Sequence, residues 1–336
     1  MKMAKYVAKR IMLMLFVLFV IVTICFMLIR LLPLPAPEGL TNAQKEATLT
    51  RWKAQGYDIS SITKNPEDKI PLLKQYAIYL KNIFTDFDFG ESLRIKPQKA
   101  ALDLLLEKLW PTVLVNVYSL LFSIPIGIAL GIYAAIKKNK WQDSLISTIV
   151  MVFVSVPSYV YAFLVQYLFY FVLHWFDKPY VLSLADAGGS WFTWAMFKSM
   201  IMPILALSFG TIAGLCRFTR AELTETLTSD YMLLARTKGL TRAQATSRHA
   251  LKNAMVPILP MIISSFIGIL GGSFVIESIF SIPGVGGLYI QAVQQLDYAV
   301  FMLDTIFYTL IGLIAGIVVD LSYGFIDPRI RMGSKK

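Results

Sequence analysis

Residues 230–257 read DYMLLARTKGLTRAQATSRHALKNAMVP, a polar and basic stretch inside an otherwise apolar chain. Asp230 can cap a short helix, MLLARTK can form it, and Gly239 can end it, because glycine takes a left-handed C′ position without strain. Arg236 and Lys238 stand in the last turn, where positive charge favours the helix dipole. Thr241-x-x-Gln244 has the spacing of a capping box, so a second helix is expected from there. The pattern is helix, tight glycine turn, helix. It fits an ordered projection, and it fits equally an ordinary basic loop between two membrane spans.

Composition decides what lies on either side. Of 336 residues, 56% are hydrophobic and 16% are charged, against about 25% charged in a soluble domain. The chain therefore reads as an integral membrane protein. Its net charge of +11 has no face of interleaved aromatics, so positive flanks of membrane helices explain it and nucleic acid is not an expected partner. Cys25 and Cys216 both lie in apolar segments, as packing thiols and not a disulfide framework.

Working outward, residues 1–32 hold a basic N-terminus and a first span, Ile11 to Leu32, read as a retained anchor. Residues 33–110 form one long excursion. There Thr41-x-x-Gln44 predicts a polar helix ending near Gly56. A second helix is expected from Pro71, with Leu73, Tyr76, Leu80 and Phe84 on one face, and a third from about Pro97 to Trp110. Residues 111–326 hold five further spans: Thr112 to Ile136, Ser144 to Leu173 kinked at Pro157, Ser199 to Cys216, Asn253 to Ile276, and roughly Phe301 to Ile326. The basic loop 217–254 separates the fourth from the fifth, and 327–336 is a tail.

Charge sets the orientation. Lys2, Lys5, Lys9 and Arg10 flank the first span, and Lys137, Lys138 and Lys140 follow the second. Arg217, Arg220, Arg236, Lys238, Arg242, Arg248 and Lys252 surround the projection, and Arg329, Arg331, Lys335 and Lys336 end the chain. The short loops on the other side hold only Lys178 and Lys198. The expected fold is thus all-α with six transmembrane helices and both termini cytoplasmic.

Motifs for chemistry are missing. There is no Walker A loop, no H-E-x-x-H, no paired-cysteine motif and no nucleophile elbow, and His174 and His249 fall on opposite sides of the expected membrane. No enzyme activity, metal site or directly bound cofactor is expected. Glu277, Asp304 and Asp320 are ionisable groups near span ends, where water or a charged neighbour can reach them; structural pairing or proton transfer would both account for them.

The projection resembles the cytoplasmic signature loop of ABC importer permeases, in the form used by the peptide/nickel (oligopeptide and dipeptide) family. That form runs D-Y-x-x-x-A-R-x-K-G-L and then R-H-A-L-x-N-A-x-x-P. It is met here by Asp230, Tyr231, Ala235, Arg236, Lys238, Gly239 and Leu240, then Arg248, His249, Ala250, Leu251, Asn253, Ala254 and Pro257. Leu233 and Leu234 replace the Glu-Ala of the wider importer motif. DFGES at 88–92, SVPSY at 155–159, ESIFSIPGVGGL at 277–288 and DPRIR at 327–331 resemble four more family signatures. Where the family has Arg-Asp-Tyr-Pro, this chain has Leu296, Asp297, Tyr298 and Ala299.

The resemblance implies a type I importer permease, the B-type subunit, most simply for peptides. Nickel or another small solute remains open, as do a self-contained secondary transporter and an anchored scaffold as readings of other classes. It implies a second homologous permease, two cytoplasmic ABC ATPases that hold ATP and Mg, an extracytoplasmic binding protein, and membrane lipid. By the same resemblance Asp230, Tyr231, Leu234, Ala235, Arg236, Lys238, Gly239 and Leu240 form the ATPase-docking helix and turn, with Arg248, His249 and Asn253 linking to the fifth span. Gate or pathway positions are expected at Pro157, Gly271, Gly272, Ser273, Pro283, Gly284 and Gly286, with packing within one subunit as the alternative.

Overall fold

A computed structural model describes residues 2–37, 39 and 41–326, less the side chains of residues 2–4, 6 and 323–326. The tail 327–336, with its DPRIR stretch, lies outside the described residues. In chain order the helices begin with α1 (Lys2–Arg30), α2 (Asn42–Ala54), α3 (Ser60–Thr63), α4 (Leu72–Asp86) and α5 (Ala101–Ile136). The pair α6 (Trp141–Ser155) and α7 (Ser158–Gln166) follows, then α8 (Trp194–Leu227), α9 (Asp230–Thr237), α10 (Arg242–Ala245) and α11 (Leu251–Gly268). α12 (Phe274–Ile279), α13 (Val285–Gln294) and α14 (Tyr298–Ile326) complete the series.

Among the described residues, five stretches are long and apolar enough to cross a membrane: Val7–Arg30, Ala101–Ile136, Trp194–Leu227, Arg242–Gly271 and Tyr298–Ser322. Trp141–Ser155 and Ser158–Val172 make a sixth when taken together, bent by 101° at their break. Several boundaries differ from expectation. The helix expected to stop at Trp110 runs on without interruption through Pro111 and Pro125, since the carbonyls that proline frees within a membrane helix can be satisfied locally. The fourth span continues to Leu227, eleven residues past Cys216 in sequence. The fifth ends at Gly271, not Ile276, because Gly272 adopts φ +61° and Ser273 caps the separate helix α12 through its contact with the Ile276 amide.

The elements group into two compact units, Met1–Trp110 with Val285–Leu313, and Pro111–Gly284 with Ile314–Lys336. In the first, Thr41 and Gln44 form the expected capping box on α2, and the chain turns at Gly56. Trp52, Tyr57 and Ile59 are buried with Leu93 and Tyr298, each apolar side chain contributing about 1.5–3 kcal/mol. The Arg30 guanidinium stands 3.6 Å over the Tyr57 ring, and burial pushes the Tyr57 phenol up to about 12, so the ring stays neutral beneath the cation. α4 is rotated from the expected face. Gln75, Tyr76 and Tyr79 are buried while Leu73 and Phe84 are exposed. The two tyrosines pack on Phe26 at centroid distances of 5.0 and 5.1 Å, and the Tyr76 hydroxyl meets Thr23 Oγ1 at 2.6 Å. The packing of Tyr76 and Tyr79 on Phe26 outweighs the burial of Leu73 and Phe84.

In the second unit α8 is the central helix. Met196, Met200, Met202 and Ile204 pack with Ala162, Val165 and Phe280. A Cβ at Gly127 would lie 2.8 Å from the Leu215 Cβ, and one at Gly131 2.6 Å from the Thr219 Cβ. Glycine at this four-residue spacing lets α5 and α8 touch backbone to backbone, which is how helices gain contact where lipid supplies no hydrophobic drive. Asp143 on α6 accepts from Arg220 Nε and Nη2 on α8 at 2.5 and 2.8 Å, and from the Asn139 amide at 3.0 Å. At the break after α6, the carbonyls of Val152 and Phe153 take the Tyr161 hydroxyl at 3.2 and 2.9 Å. Pro157 therefore ends one helix and starts another, a sharper event than the expected kink.

Candidate functional site

The projection is ordered, and its order is legible residue by residue. Ser229, not Asp230, is the N-cap of α9, without a side-chain capping bond, its hydroxyl donating instead to Thr226 O at 2.6 Å; Asp230 opens the first turn. The Lys238 amide donates to Leu234 O at 3.1 Å and the Gly239 amide to Arg236 O at 3.0 Å. Gly239 takes φ +93°, and the Leu240 amide then reaches back to Ala235 O at 3.3 Å. Thr241 caps α10, with Gln244 N on Thr241 Oγ1 at 3.3 Å and Thr241 N on Gln244 Oε1 at 3.0 Å.

What holds this hinge is a base of small side chains. Met232 and Ala235 of α9 are buried with Ala245, Ala250 and Ala254, against Ala135 of α5 and Leu223 of α8. Ala245 and Ala250 are five residues apart, a spacing that an α-helix would send to different faces. They share a face because Thr246–Ala250 forms a wider π turn, in which hydrogen bonds run i to i+5. A search at period 3.6 misses these alanines; the run of small residues was the available signal.

The opposite face of α9 is left open. Leu233 is 65% exposed, Leu234 55% and Tyr231 39%, flanked by exposed Asp230, Arg236 and Lys238. Leu233 belongs to this patch although expectation singled out only Leu234. Arg248, His249 and Asn253 are exposed on the helix beyond, with Asn253 Nδ2 donating to His249 O at 2.9 Å. Ala235, by contrast, is buried and belongs to the support.

The expected gate positions fall into separate places. Pro157 sits at the 101° break. Gly271, Gly272 and Ser273 form the link from α11 to α12. Pro283 and Gly284 precede α13, while Gly286 is buried inside it, so the expected 281–287 turn is helical from Val285 onward. Glu277 is buried and accepts from Thr112 Oγ1 at 2.8 Å. A Cβ at Gly284 would stand 2.4 Å from the Glu277 carboxyl and the Thr112 hydroxyl.

Two aspartates in the first unit contrast with it. Asp297 is fully buried just before α14. Its Oδ2 accepts from Ser92 Oγ at 2.5 Å and from the Arg94 and Ile95 amides at 3.0 and 3.1 Å; Oδ1 accepts from the Leu93 amide at 3.0 Å. The DFGES loop thus ends in a nest of donors closed around a carboxylate two hundred positions away, a contact that sequence reasoning did not find. Asp304 lies two turns further on, fully buried, with neither oxygen hydrogen-bonded. The expectation that water could reach it is overturned, because α14 packs its Val300 and Leu303 into a buried cluster and takes Asp304 in with them. Leaving it unpaired costs about 1–3 kcal/mol. Asp304→Leu is therefore expected to raise the melting temperature of the detergent-solubilised chain, and a fall of several degrees would reveal a partner for the carboxyl. No group of three or more His, Cys, Asp or Glu able to hold a metal occurs among the described residues.

Comparison with known proteins places this architecture. The family described as "Binding-protein-dependent transport system inner membrane component" matches residues 127–332, which include the whole projection. The chain belongs to this family. It is a membrane-embedded permease component and not an enzyme. The dipeptide transport system permease protein DppB of Bacillus subtilis (strain 168) is 33% identical over 334 residues, covering 99% of this chain and 100% of that one. The oligopeptide transport system permease protein OppB of Escherichia coli (strain K12) is 31% identical over 329 residues, covering 98% and 100%. Among solved structures, inward-facing MetNI methionine ABC transporter is similar at a TM-score of 0.48 and 18% identity, over 66% of this chain and 97% of the other.

Proposed function

We propose that this permease imports peptides handed over by an extracytoplasmic binding protein. Two cytoplasmic ABC ATPases, which hold ATP and Mg, drive it by docking on α9, and a second homologous permease completes the pathway. The observation that carries the reading is the open apolar patch of Tyr231, Leu233 and Leu234 on a helix that is rigidly seated by Met232 and Ala235. Exposed aromatic and aliphatic residues with a charged rim are what a protein partner covers. Full-length similarity to permeases named for dipeptides and oligopeptides supports the substrate class. Within the pathway we assign Pro157 and the 271–273 link to moving parts, and Pro283, Gly284 and Gly286 to the outer mouth.

Uptake by cells lacking this chain, and by cells with it restored, tests the substrate. Labelled dipeptides and tetrapeptides should enter only with the chain present, and nickel should not; nickel uptake alone would overturn the peptide assignment. A separate experiment addresses coupling. Gly239→Val places a β-branched residue at φ +93°, where space is open but the backbone is strained by about 1–3 kcal/mol. The complex is expected to assemble and hydrolyse ATP while uptake falls at least about tenfold, an effect of about 1.4 kcal/mol on coupling. Uptake at the wild-type rate would sink the hinge role.

A further inference from the structure

A groove of about 290 Å³ runs along the second unit between α6 and α8. Ile146, Val150, Met151 and Val154 form one wall, with Cys216 on the facing helix. Positions 146 to 154 follow one face of α6 for about 12 Å at 1.5 Å per residue, and Met151 is 69% exposed at its rim. Two guanidiniums, Arg217 and Arg220, stand on the α8 side, and they are not equivalent. Arg220 is spent on its bidentate pair with Asp143. Asp143 is further engaged by the Asn139 amide and by Ser147 Oγ, so its charge is satisfied locally. Arg217 is exposed and has no carboxylate partner among the described residues. Lys137, Lys138 and Lys140 lie just before α6 and add positive charge to the same end.

We propose that this groove holds an anionic phospholipid of the cytoplasmic leaflet, its phosphate on Arg217 and an acyl chain along the α6 wall. The orientation rests on the positive-inside assignment of the α6 start and the α8 end. Charge and shape select the occupant together. A free phosphate has no use for an apolar wall, and a zwitterionic lipid brings an ammonium beside its phosphate that Arg217, Lys137, Lys138 and Lys140 would repel. Basic pockets between membrane helices at the cytoplasmic side are suited to anionic headgroups. The site is separate from the α9 patch and does not depend on which solute is carried.

The test uses the assembled complex extracted in mild detergent, with phosphatidylglycerol as the probe. Native mass spectrometry should find a retained phosphatidylglycerol that exchanges slowly. Arg217→Gln is expected to weaken retention about fivefold, the factor matching ~1 kcal/mol per basic residue at a lipid surface, while Arg217→Lys keeps most of it. Met151→Trp, which fills the groove and leaves every charge in place, should lower retention as well. Unchanged retention in Arg217→Gln overturns the proposal. So does efficient cross-linking of a cysteine at Met151 to the second permease, which would make the groove a protein interface.

Discussion

Gly284→Ala is expected to remove the chain from the membrane fraction. The added methyl would sit 2.4 Å from the Glu277 Cδ and Oε1 and from the Thr112 Oγ1, distances at which atoms overlap. Neither neighbour is a loose side-chain end. The Glu277 carboxyl is held by Thr112 at 2.8 Å, and the backbone between is fixed by the Ile282 amide on Glu277 O at 2.7 Å. Overpacking of a confined site costs about 1–3 kcal/mol or more, and here the hydrogen bond would be lost with it. Against a net stability of about 5–15 kcal/mol, that is enough to deplete a membrane protein already subject to quality control. Immunoblots of membrane fractions and gel filtration in detergent read the outcome. A combined variant checks the cause: Gly284→Ala with Glu277→Ala and Thr112→Ala should be no worse than Glu277→Ala with Thr112→Ala, since both obstacles are gone. Normal accumulation of Gly284→Ala would mean that the 277–284 loop can open without penalty.

Asp297 supports the second large prediction. Asp297→Ala leaves the Leu93, Arg94 and Ile95 amides and the Ser92 hydroxyl without their acceptor, at about 1–3 kcal/mol for each donor that water cannot reach. Asp297→Asn is scarcely milder, because its amide turns two further hydrogens toward a nest made of donors. Either substitution should free the 92–99 segment, so that trypsin cuts at Arg94, Lys96 or Lys99 well before it cuts the native chain. Ser92→Ala, which removes one donor and leaves the carboxylate with its backbone partners, should be cleaved at an intermediate rate. Equal proteolysis of Asp297→Ala and wild type would refute the latch.

These two sites mark where reading from sequence stops. The caps at Thr41 and Thr241 and the turn at Gly239 are local: a hydroxyl, an amide three residues on, or a missing Cβ suffices to specify them. The Asp297 nest is not local, since nothing at residues 92–95 announces that their amides need an acceptor from residue 297. Departure from Arg-Asp-Tyr-Pro drew attention to Leu296 and Ala299, the two positions that vary, while the aspartate between them does the binding. The face of α4 was misplaced for a similar reason. Its period is correct, but the phase is set by Phe26 on another helix. Asp304 was misjudged because nearness to a span end was taken to mean access to water, whereas packing of the neighbouring Val300 and Leu303 decides it. The exposed patch on α9 was legible as helix and turn, yet its division into seated and open faces required the π turn that brings Ala245 and Ala250 together.

The break at Pro157 also bears on how the chain enters the membrane. α6 has fifteen residues and α7 with its extension a similar number, so each half spans only about 22 Å, short of the roughly 30 Å hydrocarbon core. Neither half is long enough to be recognised by the insertion machinery as a span in its own right, so residues 141–172 must leave the translocon as one hydrophobic unit. Pro157 interrupts the helix within that unit, where the Tyr161 hydroxyl covers the carbonyls of Val152 and Phe153, and the 101° angle is fixed when α8 has arrived to receive Ala162 and Val165. The angle at this break, unlike the break itself, is thus tied to the order of synthesis, and a chain truncated before α8 should keep the interruption at Pro157 without a fixed bend.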